Sequence, residues 1–348
     1  MVPDSKHFDM DYALELIDLN VGYGNKKSRR VILSDIRLSA ASGQLIALVG
    51  PNGKGKSTLL KTIGGFLKPL EGMVRIHGSN LSQLTNHQRA KLISFVGTSH
   101  EINKLLRVRD LVALGRWQHS SFLGRLYEND QRIVYKAMLD TKILHLRDAR
   151  IGEISDGELQ RVLIARCLAQ DTPIILLDEP TAFLDIANKF EMVDLMRRLV
   201  RLNRKTIIFS SHDLPTVIGN ADLMWFIYNR SILEAIPEEL VMTGFLDTFF
   251  EHSNVVFDLV KNEFRLNQKP DRFVKILGDE TLVFWTEKAL LRFGIARDNR
   301  VSEPEIHVKV ENENILWMVN SLDKSYRFET LRDLLPFIDR QFRNKENS

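Results

Sequence analysis

A chain of 348 residues has room for one large domain and a smaller second one. Its 44% hydrophobic content supports a sizeable core, and its formal net charge of +3 at pH 7 is too small to indicate nucleic acid or a membrane surface as a direct partner. The single cysteine, Cys167, excludes an internal disulfide framework, and we expect it to pack inside a core helix.

The sequence shows no segment that would target the chain to a membrane or insert it there. The first residues lack the basic and apolar regions of a signal peptide. No apolar run approaches the ~20 residues that a membrane span requires. We therefore expect a soluble protein that reaches a membrane only through a partner.

The N-terminal part of the chain predicts three strands. Apolar residues favour a strand over 13–19, and glycines indicate a turn over 21–24. A second strand is predicted over 31–38, and the continuous apolar run 44–49 predicts a buried third one. The basic residues between the first two strands are predicted to occupy a solvated loop; they are Lys26, Lys27, Arg29 and Arg30.

A glycine-rich loop follows the third strand and precedes a helical pattern over 58–63. It fits the P-loop pattern, whose glycines let backbone N–H groups point at a phosphate. Lys56 would place its charge on the outer phosphates, and Ser57 would offer a hydroxyl to a magnesium ion. Strand, loop and helix are the context that the motif requires, so a nucleotide site is predicted over an ordinary glycine turn. The loop consists of Gly50, Pro51, Asn52, Gly53, Lys54, Gly55, Lys56, Ser57 and Thr58.

The middle of the chain predicts a helical insertion between two halves of a nucleotide-binding core. A strand over 93–96 precedes a helical stretch over 107–126, with loops at its glycines, and an amphipathic helix is predicted over 128–139. A further helix is expected to run through Leu168 and to stop before Pro173. We place the insertion at about residues 98–170.

Two carboxylates follow the aliphatic run 174–177. A buried parallel strand carries residues at its end to the carboxyl edge of the sheet, beside the phosphate loop. Asp178 can hold magnesium through water, and Glu179 can orient or deprotonate the attacking water. His212 closes another predicted strand, over 206–213, and is expected to point toward the same edge.

These motifs jointly resemble the ATP-binding subunit of an ABC transporter. Residues 50–58 match the family's Walker A motif, residues 174–178 its Walker B motif and residues 184–185 its D-loop. Residues 154–158 occupy the position of the family's signature. The resemblance covers about residues 12–266, and it implies a P-loop α/β core that binds ATP and Mg²⁺.

The resemblance also implies a role for each matched residue. The implied catalytic residues are Glu179, His212 and Lys56; the implied metal ligands are Ser57, Asp178 and Thr98; and the implied nucleotide contacts outside the loop are Tyr23, Ser155, Asp156, Gly157, Glu158 and Asp185. Tyr23 would stack on adenine. Ser155 and Gly157, at a helix N-terminus, would bind the γ-phosphate held by a second subunit. A head-to-tail homodimer with two ATP molecules at its interface is therefore implied.

Within the family, residues 111–116 and 236–240 resemble importers of ferric siderophores, haem and cobalamin. In such importers the region corresponding to 98–117 receives a cytoplasmic helix of the membrane permease. The resemblance implies a cytoplasmic ATPase held at the inner face of the membrane by that permease and served indirectly by a substrate-binding protein. No nucleic-acid partner is expected.

Four residues depart from the family pattern. Asp156 replaces the second glycine of the signature and Glu158 its closing glutamine, so two carboxylates lie close to where a γ-phosphate should dock. Lys54 replaces a small residue of the P-loop; it would offset part of that charge or simply face water. Thr98 stands where a glutamine normally reaches magnesium.

The remaining residues, about 267–348, predict a small α+β domain. A strand is predicted over 281–285, followed by a helix capped by Thr286 that ends at Gly294. Strands over 305–310 and 315–319 are predicted to pair as a hairpin. A final helix over 331–342 is expected to begin or to kink at Pro336. Such a domain either covers core surface and supports dimerisation or responds to a ligand.

The favoured function is an ATPase that powers import through a membrane permease. The alternative from another class is a soluble ABC ATPase that acts on nucleic acid or ribosomes. A single cassette without a long coiled-coil insert or a strongly basic face argues against that alternative. The altered motifs also leave open a subunit that binds ATP without hydrolysing it.

Overall fold

The computed structural model describes residues 12–25, 28–98, 102–119, 126–182, 184–251, 254–258, 263–267, 269–321 and 324–346. The chain divides into two compact units, residues 1–245 and 246–348. This division lies earlier than the boundary expected after residue 266, because the hairpin of strands Val255–Asp258 and Glu263–Leu266 groups with the later residues.

The first unit contains ten strands and eight α-helices among its described residues. Its strands are β1 (Tyr12–Asn25), β2 (Ser28–Ala41), β3 (Leu45–Val49), β4 (Glu71–Ile76), β5 (Ser79–Asn80), β6 (Ile93–Val96), β7 (Ile174–Leu177), β8 (Thr206–Ser211), β9 (Leu223–Tyr228) and β10 (Ser231–Ala235). Its α-helices are α1 (Lys56–Ile63), α2 (Asn86–Leu92), α3 (Val108–Ala113), α4 (Glu128–Asp140), α5 (Asp156–Gln170), α6 (Ile186–Asn203), α7 (Leu214–Ile218) and α8 (Pro237–Met242).

A six-stranded sheet in the order β10-β9-β3-β8-β7-β6 forms the centre of this unit. All its strands run parallel except β10, which pairs antiparallel with β9. Every residue of β3, β7 and β8 is buried, as expected for aliphatic strands covered on both faces. The carboxyl ends of five parallel strands therefore meet at one edge of the sheet.

An antiparallel sheet in the order β2-β1-β4-β5 shares a hydrophobic core with the central sheet. Helix α1 belongs to that core, because Leu59, Leu60 and Ile63 are fully buried there. The same cluster includes Leu16 of β1 and Leu48 of β3. Packing on both sides thus fixes the helix that follows the glycine loop.

The first hairpin is longer than the sequence predicted. The turn expected over 21–24 is wrong, because β1 continues to Asn25 and pairs Tyr23 with Arg30 and Gly24 with Arg29. The loop expected for Arg29 and Arg30 is therefore wrong as well, since both lie in β2. Lys26 and Lys27 lie outside the described residues.

The predicted helical insertion contains α3, α4 and α5. The helix expected over 128–139 is confirmed as α4, and Cys167 is buried in α5 as predicted. The helical stretch after residue 107 consists of α3 and a 3₁₀ turn over Leu114–His119, while residues 120–125 lie outside the described part. A buried ion pair between Arg116 and Asp130, at 2.9 Å, joins that turn to α4.

The second unit contains a five-stranded sheet with two long helices. Its elements are α9 (Phe245–Phe250), which starts at the last residue of the first unit, β11 (Val255–Asp258), β12 (Glu263–Leu266), β13 (Arg272–Gly278), α10 (Glu280–Leu291), β14 (Ile295–Arg297), β15 (Glu305–Glu311), β16 (Asn314–Ser321), β17 (Lys324–Phe328) and α11 (Leu331–Glu346). The sheet order is β14-β13-β15-β16-β17. Its core joins Ile306 and Val319 of the sheet to Leu290 of α10 and Ile338 of α11.

The sequence predicted this unit in part. The hairpin is confirmed as β15 and β16, which turn between Glu311 and Asn314. The strand expected over 281–285 is wrong, because these residues lie in α10. Asp279 caps that helix by accepting N–H bonds from Thr281 and Leu282, so the cap expected at Thr286 is also wrong.

Thr286 instead lies inside α10, where its hydroxyl accepts a bond from the Trp317 indole at 2.9 Å. The final helix is confirmed as α11, and Pro336 lies within it. None of the helices in the described ranges combines the length and apolar composition that crossing a bilayer demands.

A core substitution tests the division into two units. We expect Ile338→Ala to lower the free energy of unfolding of the second unit by about 2–5 kcal/mol, because Ile338 is fully buried there. Val310→Ala, at a side chain that is 61% exposed, is the control and should change it by less than about 0.5 kcal/mol. Proteolysis across a urea series, read by fragment mass, should yield a protected fragment ending near Phe245 in the Ile338→Ala protein. Simultaneous loss of both units would contradict the division.

Candidate functional site

The carboxyl edge of the central sheet collects most of the predicted site residues. The glycine loop leaves β3 at this edge, Asp178 and Glu179 leave β7, and His212 leaves β8. Strand register aligns these ends, since Val49 pairs with Ser211 and Leu177 pairs with Phe209. Parallel strand ends in open α/β sheets are the usual place for ligands.

The glycine loop reaches α1 through a conformation that only glycine adopts easily. Gly55 has φ 107° and caps the helix that begins at Lys56. A Cβ atom at Gly55 would lie 2.6 Å from Ile32 Cγ2, so a larger residue would clash with β2. Gly53 also has positive φ, at 75°. The loop thereby wraps around the start of a helix whose N–H groups suit an anion.

Lys56 is the buried cation of the site, with its side chain 6% exposed. Its Nζ donates to Gly50 O at 2.8 Å, to Asn52 Oδ1 at 3.3 Å and to Pro51 O at 3.4 Å. Glu179 Oε1 lies 3.9 Å from the same nitrogen. Burial lowers the pKa of Lys56, and the charges of Glu179 and Asp178 oppose that shift.

Asp178 is the buried carboxylate of the site and is 1% exposed. The Ser210 hydroxyl donates to its Oδ1 at 2.8 Å. Its Oδ2 is buried and has no hydrogen-bond partner among the described residues. Because a buried carboxylate oxygen is costly without a donor or a cation, this atom suits a metal ion or an ordered water.

Glu179 is held in a backbone conformation that is uncommon outside glycine, with φ 53°. Its N–H donates to Ser210 Oγ at 2.8 Å. Its Oε2 lies 3.7 Å from His212 Nδ1, and the His212 side chain is 60% exposed. The glutamate therefore lies between a buried lysine and an exposed histidine.

Ser210 was not predicted as a site residue. Its hydroxyl binds both Asp178 and the Glu179 N–H, so one side chain of β8 positions both carboxylates that leave β7. The signal was a pair of serines at the end of an otherwise apolar strand. Register was needed to interpret it, because pairing of Leu177 with Phe209 sets Ser210 opposite Asp178.

Two further predicted residues lie beside this cluster. The Tyr23 hydroxyl is 3.2 Å from Thr58 Oγ1, and the tyrosine is 47% exposed near the start of α1. Thr98 is exposed and lies two residues beyond Val96, whose carbonyl accepts the Asp178 N–H at 2.8 Å. Both therefore lie at the same edge of the sheet.

The predicted signature residues form a separate group at the start of α5. Ser155 caps that helix by accepting the Glu158 N–H at 3.3 Å, and the Glu158 carboxylate accepts from the Ser155 N–H at 2.8 Å and hydroxyl at 2.9 Å. These bonds lower the pKa of Glu158. A Cβ atom at Gly157 would lie 3.5 Å from Leu184 Cδ2 and 3.7 Å from Asn188 Nδ2.

Asp185 caps α6 by accepting the Asn188 N–H at 2.8 Å. Because Gly157 of α5 lies close to Leu184 and Asn188, the starts of α5 and α6 lie side by side. Asp156 is exposed in the first turn of α5, and Lys54 is exposed in the glycine loop. The group around Ser155 does not share in the hydrogen bonds around Lys56 within the described part of the chain.

Comparison with known proteins agrees with this geometry. A family model described as ABC transporter matches residues 33–182, and one described as iron ABC transporter C-terminal domain matches residues 271–339. An uncharacterized ABC transporter ATP-binding protein of Methanocaldococcus jannaschii is 34% identical over 264 residues, which are 76% of this chain and 90% of that protein. The chain belongs to the ABC transporter ATP-binding family.

Two further proteins are similar to this ABC ATPase. The iron(3+)-hydroxamate import ATP-binding protein FhuC of Bacillus subtilis is 37% identical over 265 residues, covering 72% of this chain and 97% of FhuC. The dimeric ATP-binding cassette MJ0796, solved with ADP and Pi in a post-hydrolysis state, matches with a TM-score of 0.57 and 25% identity over 64% of this chain and 97% of that chain. The predicted fold class and ATPase class are thus confirmed.

The Ser210 contacts predict a selective defect in this ABC ATPase. Ser210→Ala removes the common anchor of Asp178 and Glu179, so we expect ATP hydrolysis to slow by at least about tenfold while ATP affinity changes by less than about threefold. Ser211→Ala is the matched control, because its buried hydroxyl accepts from the Asp213 N–H instead. Steady-state ATPase assays and fluorescent-ATP titration measure both quantities. Equal defects in the two variants would show that the strand, and not the Ser210 hydroxyl, is responsible.

Proposed function

We propose that this chain is the ATP-hydrolysing subunit of an importer for iron–siderophore substrates, working through a membrane permease. The observation that carries the ATPase chemistry is the buried Lys56, which lies between the glycine-loop carbonyls and Glu179 beside a buried Asp178. The substrate class rests on the similarity to FhuC and on the iron ABC transporter C-terminal domain. These names favour siderophores over haem and cobalamin.

ATP would bind at the glycine loop. The backbone N–H groups of the loop, except at Pro51, would donate to phosphate oxygens. The Lys56 ammonium would exchange its present acceptors for the same oxygens, which carry more negative charge. Tyr23, exposed beside Thr58, would stack on the adenine. The proposed contacts thus come from one loop, one helix start and one strand.

A magnesium ion would fit the oxygen ligands beside the loop. Ser57 offers a hydroxyl, and Asp178 offers a buried oxygen without a hydrogen-bond partner among the described residues. The described part of the chain holds no cluster of three or more His, Cys, Asp or Glu side chains suited to a metal. Such a sparse set suits Mg²⁺, which commonly takes one or two protein oxygens plus phosphates and water. When bound, it would neutralise charge on the phosphates.

Hydrolysis needs a base near the γ-phosphate. Glu179 suits that role because its carboxylate lies 3.9 Å from the Lys56 ammonium that would contact the phosphates. Its Oε2 faces His212 Nδ1 at 3.7 Å, so His212 would hold the carboxylate or the water in place. The positive φ of Glu179 costs about 1–3 kcal/mol, a strain of the kind that collects at functional sites.

The complete ATP site would require a second copy of the chain. Ser155, Asp156, Gly157, Glu158 and Asp185 lie at the starts of α5 and α6, apart from the Lys56 cluster. A related cassette was solved as a dimer with ADP and Pi. We propose that these residues face the nucleotide of the partner subunit in a homodimer.

The region 98–117 would receive the permease, as the family resemblance implies. The ATPase would then lie at the inner face of the membrane and serve a substrate-binding protein indirectly. The alternative, a soluble ABC ATPase acting on nucleic acid or ribosomes, is not favoured by FhuC or by the iron ABC C-terminal domain. For the second unit two roles remain proposed: it would either cover core surface and support dimerisation, or respond to a ligand.

A conservative change at Glu179 tests the ATPase proposal. Glu179→Gln should retain ATP binding but slow hydrolysis by roughly 10²–10⁴-fold, the usual scale for a general base. It should also accumulate an ATP-bound dimer, observed by gel filtration. Lys56→Ala is the complementary variant and should lose most ATP binding, because the phosphates lose their nearest cation. Hydrolysis at the parental rate by Glu179→Gln would refute the assignment of the base.

Thr98 tests the link to the permease. A threonine hydroxyl reaches less far than the usual glutamine, so contact with a metal would need an inward backbone shift or a bridging water, which is nearly as favourable as a direct bond. We expect slow basal hydrolysis that the permease stimulates, and we expect Thr98→Gln to change that stimulation more than ATP affinity. Both quantities are measured in the complex reconstituted in liposomes. A large change of affinity with unaltered stimulation would mark Thr98 as a plain metal ligand.

A further inference from the structure

Two exposed side chains of opposite charge belong to the two halves of the proposed ATP interface. Lys54 lies in the glycine loop, and Asp156 lies in the first turn of α5. Within the described residues, neither forms an ion pair with another side chain. Both positions carry small residues in the usual family motifs. The chain therefore carries one cation and one anion at these two positions, and they do not pair with each other within the described part of a single copy.

The second acidic replacement, Glu158, behaves differently. Its carboxylate is bound by the Ser155 N–H and hydroxyl, and these bonds close the N-terminus of α5. Glu158 is therefore directed back to its own helix. Of the two carboxylates that the sequence places near a γ-phosphate, Glu158 binds its own helix through Oε2, whereas Asp156 is exposed and forms no ion pair within the described residues.

Asp156 would be harmful in the proposed dimer without a nearby cation. A carboxylate facing the γ-phosphate of a partner's ATP would repel it, and like charges brought together at an interface are strongly unfavourable. The N-terminus of the 15-residue helix α5 compensates in part, since it favours negative charge. A lysine in the partner's glycine loop would turn the remaining repulsion into attraction.

We propose that Lys54 of one subunit pairs with Asp156 of the partner across the ATP interface of the homodimer. The pairing rests on the proposed function, in which the start of α5 faces the partner's glycine loop. Two-fold symmetry makes the pair occur twice, once at each nucleotide. A different cassette with small residues at both positions would have no charge to pair with. In a mixed dimer with such a cassette, Lys54 and Asp156 of this chain would both lack an ion-pair partner. The pair therefore selects a second copy of this chain over other cassettes.

Charge exchange in the slow-hydrolysing protein tests the pair. The parent is Glu179→Gln with Mg-ATP, and the dimer dissociation constant is measured by analytical ultracentrifugation. Lys54→Asp and Asp156→Lys should each weaken the dimer by about tenfold or more, because like charges then face each other. The double variant should return to within about threefold of the parent. The loss in the single variants should shrink as salt rises.

Matched measurements separate the pair from its alternatives. Lys61→Asp changes another exposed lysine, on α1, and should show no coupling with Asp156→Lys. Fluorescent-ATP titration at protein concentrations below dimerisation should give Lys61→Asp the monomer affinity of the parent, so that its dimer dissociation constant is a valid baseline.

Three outcomes would overturn the pairing. A tighter dimer with Asp156→Lys alone would mean that this position senses only the phosphate. Additive effects in the double variant would mean that the two residues do not meet. In both cases the proposed function stands, because the parent still dimerises with ATP. Failure of the parent itself to dimerise would refute the proposed dimeric site and the pair with it.

Discussion

The proposed nucleotide site depends on a lysine ammonium that is almost completely buried. Such a charge is tolerated only with acceptors around it, and Lys56 finds them in the Gly50 carbonyl and, more distantly, in Glu179. Each acceptor is fixed by a different strand of the central sheet, β3 for the loop and β7 for the glutamate. The closely packed core behind the sheet therefore sets the position of a charge that no single element could hold. Burial removes most of the water around this ammonium and thereby lowers its pKa. An anion that enters the loop would therefore meet a cation that is already desolvated.

The sequence predicted the parts of the proposed site that depend on local pattern. A glycine loop between an apolar strand and a helix, together with two acids after an aliphatic run, is the pattern of a site for nucleotide phosphates and magnesium. Continuous aliphatic runs also identified β3 and β7, because strands covered on both faces need no alternation. Ser210 escaped prediction because its role depends on which strand lies next to β7. Likewise, 21–24 continues β1 because its pairing with β2 outweighs the preference of glycine for turns. Residues 281–285 are helical because Asp279 caps the helix and because Leu282 and Val283 belong to the core of the second unit.

The two acids of the signature show why residue identity alone was insufficient. Asp156 and Glu158 are equally unusual in sequence, and both place a carboxylate at the start of α5. The helix geometry separates them, because a side chain at the third helical position can reach back to the capping residue while one at the first position cannot. Glu158 therefore contributes to folding of the helix, and Asp156 remains exposed. A position that departs from a motif can thus be structurally absorbed or left free for recognition, and only the local hydrogen bonds distinguish the two.

The balance of charge at the sheet edge favours a role for the second lysine of the loop in the proposed dimer. Within one chain, Lys56 stands against two carboxylates, Asp178 and Glu179, before any phosphate is added. In the proposed dimer, nucleotide phosphates would add more negative charge, of which a divalent cation, the start of α1 and the start of the partner's α5 would offset a part. Because an interface excludes water, uncompensated charge there interacts more strongly than at a free surface. In the proposed dimer, a chain that also places Asp156 at the interface would need a further cation at short range, and Lys54, two residues before Lys56 in the glycine loop, would supply it.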